Sequence, residues 1–171
     1  METTSTAASA AAPTAKPATG GFVPGRGFTL NVPAGWEQRD ESQVTAASLL
    51  AIAIAIDPTD ADGFADNMIV AEDPSILKTG SFDDVSTAAE QALRKKTDRV
   101  EVLDPIKLAD EPAVVITASL TQGAVKYATV QYVTAHADIG YVVTFSFSAD
   151  RPMAEQIEIA SSVAASWQWT S

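Results

Sequence analysis

Apolar and polar side chains alternate along several stretches of the chain, which is the two-residue period of β-strands. The first stretch, residues 28–32, ends at a Pro-Ala-Gly turn that leads to Trp36. Residues 49–56 alternate large side chains with alanines, as in a buried central strand, and residues 67–71 are predicted to pair with them. Short turns separate four further runs, near residues 100–108, 113–120, 125–134 and 141–147. Such runs predict an antiparallel meander.

Two segments have the helical period instead. Ser81 can cap the first turn of a helix over residues 81–96, whose early aspartates favour the positive end of the helix dipole. A second helix is predicted over residues 152–166, with Asp150 as its cap. Because one helix precedes the meander and one follows it, the sequence predicts an α+β fold. In this fold a twisted, mainly antiparallel sheet is covered by helices on both faces, as an α/β/α sandwich.

The first residues differ in composition from the rest. Residues 1–21 are almost entirely Thr, Ser, Ala, Pro and Gly and have no apolar period. They cannot bury enough apolar surface to offset their ordering entropy, so we predict a disordered tether here and a single domain over residues 22–171. A tether indicates anchoring to a surface. The alternative is that Met1 is the native start of a cytoplasmic protein with an ordinary disordered terminus.

Composition narrows the classes of function. The chain of 171 residues has a net charge of −11, which disfavours nucleic acid and anionic membrane surfaces as partners. It has no cysteine, which excludes disulfides, thiolate metal sites and a cysteine nucleophile. No apolar run reaches the roughly 20 residues of a membrane-spanning helix. We therefore expect a soluble monomer with no cofactor and no metal.

Two motifs that could carry chemistry are weak. His136, the only histidine, lies beside Asp138 near a strand end without a Gly-x-Ser-x-Gly motif, so an exposed turn histidine is favoured over a catalytic one. Aspartates in one loop supply oxygen ligands of the kind that calcium prefers: Asp57, Asp60, Asp62 and Asp66. Their spacing does not match an EF-hand, so a solvated acidic loop is favoured over a calcium site.

Two sets of side chains could bind a ligand. Trp36, Trp167 and Trp169 could form an aromatic platform, but their positions favour core packing for the first two and greater exposure for Trp169. The meander also carries polar side chains at alternate positions, which could form a hydroxyl-rich face for a polyol: Thr117, Ser119, Thr129, Gln131, Thr144 and Ser146. Ordinary solvated strand residues explain the same pattern. The sequence assigns neither catalytic nor ligand-binding residues.

The order of these elements resembles the PsbP-like superfamily, whose bacterial branches include DcrB-like proteins and LpqN-type actinobacterial lipoproteins. The resemblance lies in FTLNVPAGW at residues 28–36, FADNMIV at 64–70, the helix at 81–96 and YVVTFSFSAD at 141–150. These are features of a fold, and the superfamily has no shared catalytic residues to transfer. The resemblance implies a secreted binding protein of the cell envelope that is not an enzyme.

Two functions of different classes follow. The first is an envelope lipoprotein domain that binds a small amphiphile, such as an envelope lipid or glycolipid, or a protein partner. It would be extracytoplasmic and would reach the membrane only through a lipid anchor that this sequence lacks, since it has no lipobox cysteine. The alternative is an adaptor or chaperone that holds an apolar segment of another protein. The first predicts an apolar cleft between sheet and helix with a polar rim, and the second an exposed apolar patch.

Overall fold

The computed structural model describes residues 9–40, 51–59 and 62–170. The elements in chain order are strand β1 (Phe22–Pro24), β2 (Phe28–Asn31), β3 (Glu37–Arg39), β4 (Ala51–Ile56), β5 (Asn67–Glu72), a 3-10 turn (Ile76–Lys78), helix α1 (Phe82–Arg94), β6 (Val100–Leu108), β7 (Glu111–Gln122), β8 (Val125–His136), β9 (Ile139–Ser148), helix α2 (Met153–Ser166) and β10 (Gln168–Trp169). None of the described helices is long and apolar enough to cross a bilayer.

Seven strands form one large antiparallel sheet in the order β3-β4-β5-β9-β8-β7-β6. The predicted α+β class, the meander and the pairing of β4 with β5 are confirmed. A small sheet of β1, β2 and β10 was not predicted, because β1 and β10 have three and two residues and are too short to show a period. The insertion of β9 between β5 and β8 also has no local signal in the sequence.

The two faces of the large sheet pack against different helices. Strand β7 shows the division, because successive side chains of a strand point to opposite faces. Val115 belongs to a hydrophobic cluster with Ala160 and Val163 of α2, whereas Val114 belongs to a second cluster with Leu93 of α1. On the α1 face, part of the sheet lies open as a groove, so the predicted covering of both faces by helices is not confirmed.

Helix α1 begins as the sequence predicts. The Ser81 hydroxyl accepts a hydrogen bond from the backbone N–H of Asp84, and the Asp84 carboxylate accepts one from the backbone N–H of Ser81, which is a capping box. The predicted cap of α2 is wrong: the residue before the helix is Pro152, which offers no side-chain hydrogen bond, and not Asp150.

Part of the predicted tether contacts the rest of the chain. Within residues 9–21, Ala11 forms an isolated parallel bridge with Ile106 on β6. Further along, the backbone N–H of Ala18 donates to the Ser162 carbonyl oxygen of α2 at 2.8 Å. Residues 1–8 lie outside the described part of the chain, and the boundary between tether and domain stays a prediction.

Candidate functional site: a groove on the α1 face of the large sheet

A groove of about 980 Å³ lies on the α1 face of the large sheet. Strands β5, β8 and β9 form its floor, and Leu93 and Lys96, at the end of α1, form one wall. Phe64, in the loop before β5, lies at one end and stacks on Tyr127 of β8 at a centroid distance of 5.5 Å. The volume is at the upper end of the range for sites that hold small molecules, which is roughly 300–1,000 Å³.

The floor of the groove carries hydroxyl and amide side chains from three adjacent strands. We call this set the polar floor: Asn67 of β5, Thr129 and Gln131 of β8, and Thr144 and Ser146 of β9. The register places Gln131 opposite Thr144, and Thr129 and Asn67 on either side of Ser146. The amide nitrogen Nε2 of Gln131 donates to the Thr144 hydroxyl at 3.1 Å. The strands thus bring together donors and acceptors that carry no net charge.

One member of the polar floor is not satisfied within the protein. Thr129 is 3% exposed, and its hydroxyl oxygen has no hydrogen-bond partner among the described residues. A buried polar atom without a partner costs about 1–3 kcal/mol of stability. Because this oxygen has almost no accessible surface, a ligand group would reach it only where the neighbouring side chains move apart.

A smaller pocket of about 280 Å³ continues from the groove beneath α1, lined by apolar side chains and by Asp73, Ser75, Thr79, Lys96 and Gln131. Ile76, Val85, Ala89 and Val133 line it, together with residues that also line the groove, among them Val142. A ligand could therefore place an apolar part under the helix and a polar part on the polar floor. The sequence analysis predicts an apolar cleft with a polar rim, whereas here polar side chains form the floor of the groove.

The charged side chains of the groove lie towards its ends. At one end, Glu72 pairs with Arg26 at 3.2 Å, and the hydroxyl of Tyr141 donates to the Arg26 carbonyl oxygen at 3.0 Å. Burial raises the pKa of Tyr141, the negative charge of Glu72 raises it further, and Arg26 opposes both. Tyr141 is thus a neutral donor at neutral pH.

The structure divides the predicted hydroxyl-rich face into two groups. Thr129, Gln131, Thr144 and Ser146 share the groove, as the alternation predicts, and Asn67 joins them from β5. The other two predicted residues are opposite Val130 and Ala128, so they lie on the α2 face: Thr117 and Ser119. Asn67 could not be found from the meander alone, because its position depends on the pairing of β5 with β9.

His136 contacts a carboxylate and an aromatic ring. Its Nδ1 atom lies 2.9 Å from the Glu111 carboxylate, and its ring stacks on Trp169 at a centroid distance of 4.4 Å. The turn that follows contains Asp138 with a φ of 63°. His136 is partly buried rather than exposed, and the hydrogen bonds found for it within the described residues include no serine hydroxyl.

The described aspartates of the acidic loop have separate partners. Asp57 accepts hydrogen bonds from Thr59, and Asp66 is fully buried, where it pairs with Arg151 at 2.7 Å. The prediction of a solvated loop is therefore wrong for Asp66. Asp60 lies outside the described residues, within which no group of three acidic or histidine side chains could hold a metal ion.

The tryptophans mostly pack in the core. Trp36 and Trp167 are buried, as predicted, and Trp167 stacks on Phe28 at 4.4 Å. Trp169 is partly buried rather than exposed, because β10 pairs with β2 and the indole N–H donates to the Leu108 carbonyl oxygen at 2.9 Å. No tryptophan lines the groove.

Comparisons with known proteins identify a fold. No protein-family model matches the chain, and no curated protein matches it. Among solved structures, LpqN of Mycobacterium tuberculosis, described as involved in cell envelope biogenesis, is 12% identical with a TM-score of 0.59, and 87% of each chain is covered. CyanoP, the cyanobacterial PsbP of Synechocystis, is 19% identical with a TM-score of 0.51, covering 84% of this chain and 87% of CyanoP.

A protein from Bacteroides thetaiotaomicron is 14% identical with a TM-score of 0.51, over 87% of this chain. This chain spans only about half, 47%, of the Bacteroides protein. At these identities the likeness concerns the fold alone. The element order, the large antiparallel sheet and these similarities agree with the resemblance in the sequence, and the chain has the PsbP-like fold.

Proposed function

We propose that this chain is a non-enzymatic domain of the cell envelope that binds a small amphiphile in the groove. The observation that carries the proposal is the continuity of two cavities, because the pocket beneath α1 shares Leu93, Gln131 and Val142 with the groove that holds the polar floor. An amphiphile would place its apolar part against the alanines and valines beneath the helix and its polar part on the floor. The unsatisfied hydroxyl of Thr129 supports this assignment, because a ligand oxygen or nitrogen would remove the cost of its burial.

The chemistry of the polar floor favours an uncharged, hydroxyl-bearing head group. Amides and hydroxyls both donate and accept hydrogen bonds, as the hydroxyls of a sugar or polyol do. The stacked pair of Phe64 and Tyr127 adds an aromatic surface at one end of the groove. A glycolipid or similar polyol amphiphile of the envelope has the required combination.

The envelope location is part of the proposal and is supported by the similarity in fold to LpqN, which is involved in cell envelope biogenesis. We propose an extracytoplasmic domain that the segment before Ala11 connects to the membrane when the native chain carries a lipid, since Ala11 and Ala18 already contact the domain.

The test is the binding of an alkyl glycoside, used below its micelle concentration, measured by native mass spectrometry and calorimetry. Ala92→Trp places an indole at the lining of the apolar pocket and should abolish binding. Gln91→Trp is the matched control, because Gln91 lies on the same helix, is exposed and does not line the pocket. Equal binding by the two variants, or no binding by the unmodified chain, would overturn the assignment of the groove.

Native mass spectrometry of the protein isolated from its own host distinguishes this function from the adaptor. A co-purifying mass that organic extraction removes is the result expected for an amphiphile-binding domain. A stoichiometric protein partner without such a mass would instead support the adaptor.

A further inference from the structure

A second cavity lies on the face of the large sheet that packs against α2, opposite the polar floor. It is a cleft of about 510 Å³ between the β7–β8 hairpin and the first turn of α2. Val130 of β8 packs in the cluster of α2, and strand alternation puts Ala128 and Lys126 on the same face. Ser119 and Thr121 of β7 are opposite these two residues in the register. The cleft therefore has a floor of strands and a wall formed by a helix.

Charges of both signs line the cleft without pairing. Arg99, Lys126 and Asp98 line it, and within the described part of the chain none of these three side chains forms an ion pair. Arg151 also lines the cleft, but the buried carboxylate of Asp66 pairs with it at 2.7 Å. Separate cations and an anion are thus left to interact with a ligand.

The wall of the cleft carries a buried hydrogen-bond acceptor. Gln156 is 2% exposed, and its amide nitrogen Nε2 donates to the Arg151 carbonyl oxygen at 2.7 Å. Its amide oxygen Oε1 has no partner among the described residues. Arg151 and Met153 are partly exposed, so a ligand would reach this oxygen where these two side chains move apart. A donor on the ligand would then remove the cost of burying the oxygen.

Helix α2 begins at the cleft without a side-chain cap. Pro152 precedes the helix and offers no side-chain hydrogen bond, and Glu155 of the first turn pairs with Arg151 at 3.4 Å. The first backbone N–H groups of the helix carry the positive end of its dipole, where a carboxylate is favoured. The helix start and the amide oxygen of Gln156 are thus complementary to one anionic group and one donor.

We propose that the cleft binds the zwitterionic backbone of a free amino acid. The carboxylate would lie at the start of α2 with Arg99 and Lys126, and the ammonium group would donate to Gln156 and pair with Asp98. The exposed Asp150 balances the second cation, so a ligand with both charges matches the cleft better than an anion or a cation alone. This site is separate from the amphiphile site, which lies on the other face.

The test is a titration of the full chain with L-leucine, followed by nuclear magnetic resonance of the backbone amides around the cleft. Two analogues of similar size each lack one charge: 4-methylpentanoate has no ammonium group, and 3-methylbutylamine has no carboxylate. Because both groups would make charge-assisted hydrogen bonds, leucine should bind at least about tenfold more tightly than either analogue. Binding of 4-methylpentanoate as tight as that of leucine would indicate an anion site and overturn the proposal. The absence of any shift with millimolar leucine would also overturn it.

Exposed substitutions test the two halves of the site separately. Lys126→Gln should weaken leucine binding about fivefold and leave 3-methylbutylamine unaffected, whereas Asp98→Asn should weaken leucine binding about fivefold and leave 4-methylpentanoate unaffected. Lys95→Gln and Asp104→Asn are the matched controls, because both residues are exposed and neither lines the cleft. Equal losses in a variant and its control would show that net charge controls binding, and the proposal would be wrong.

Gln156→Met tests the buried acceptor. It removes the amide oxygen at similar size, so this variant should bind leucine and 4-methylpentanoate equally. A variant that still prefers leucine by about tenfold would show that Gln156 does not bind the ammonium group. Circular dichroism checks that each variant folds, and the exposed substitutions test the site if Gln156→Met does not. A chain that binds the alkyl glycoside but not leucine would refute the cleft and leave the groove proposal intact.

Discussion

The substitution Thr129→Val tests the energetic basis of the proposed site. Valine has nearly the shape of threonine, with a methyl group in place of the hydroxyl. Thr129 is 3% exposed and its hydroxyl oxygen has no partner among the described residues. The substitution thus removes a desolvation cost of about 1–3 kcal/mol and adds a buried methyl group. We expect the free energy of unfolding to rise by about 1 kcal/mol.

The same substitution at a second position of β8 should have the opposite effect. Thr134 is also 3% exposed, but its hydroxyl donates to the Pro112 carbonyl oxygen at 2.8 Å. Thr134→Val loses that hydrogen bond and should lower the free energy of unfolding by about 1 kcal/mol. The two variants should therefore differ by about 2 kcal/mol, which urea unfolding resolves when the slope m is unchanged. A Thr129→Val variant as unstable as Thr134→Val would refute the reasoning.

The same two variants, Thr129→Val and Thr134→Val, also test whether the groove binds a ligand. An alkyl glycoside at 100 times its dissociation constant should raise the free energy of unfolding of the unmodified chain by about 2.7 kcal/mol. Thr129→Val should bind the glycoside about fivefold to tenfold more weakly, since it lacks one hydrogen bond, and Thr134→Val should bind it normally. If Thr129→Val is stabilised but keeps full affinity, the hydroxyl does not contact the ligand.

Two further predictions concern the scaffold. Ser81→Ala should destabilise the chain by about 1 kcal/mol in urea unfolding at neutral pH. The Ser81 hydroxyl and backbone N–H lower the pKa of Asp84. The stabilisation of the fold by this carboxylate is therefore present above its unfolded pKa and is lost as the pH falls below about 4. In an acid titration, Ser81→Ala should lose less stability over this range than the unmodified chain. Arg151→Met should cost about 3 kcal/mol because it leaves the buried Asp66 carboxylate without its cation. Arg26→Met, in an exposed pair, is the control and should cost under about 1 kcal/mol.

The sequence predicts those elements whose signal is local. The helix cap at Ser81 and the long alternating runs of β7, β8 and β9 each lie within a dozen residues, and all are present in the structure. The cap of α2 could not be predicted in the same way, since Pro152 occupies that position and makes no side-chain hydrogen bond to the helix. The burial of Asp66 depends on Arg151, which is 85 positions away.

The site is predictable only in part, for the same reason. Alternation identifies Thr129, Gln131, Thr144 and Ser146 as polar positions, but it does not tell which face of the sheet is open. The face is decided by where α1 packs, and α1 leaves the β5, β8 and β9 part of the sheet uncovered. Asn67 enters the site only because β5 lies beside β9, a long-range pairing that no local pattern encodes.

The polar floor needs an explanation beyond the fold. Val130 of β8 and Val143 and Phe145 of β9 are buried on the α2 face, and apolar residues at the floor positions would extend the second cluster across the α1 face. Such residues would stabilise the fold, because a buried hydroxyl without a partner has a cost that a methyl group does not. Gln156 Oε1 and Trp167 Nε1 are also buried without a partner among the described residues, and they lie away from the groove. The Thr129 hydroxyl therefore argues for binding only together with the four polar side chains beside it on the floor, since a single unsatisfied atom, like a groove, can be left by incomplete packing alone.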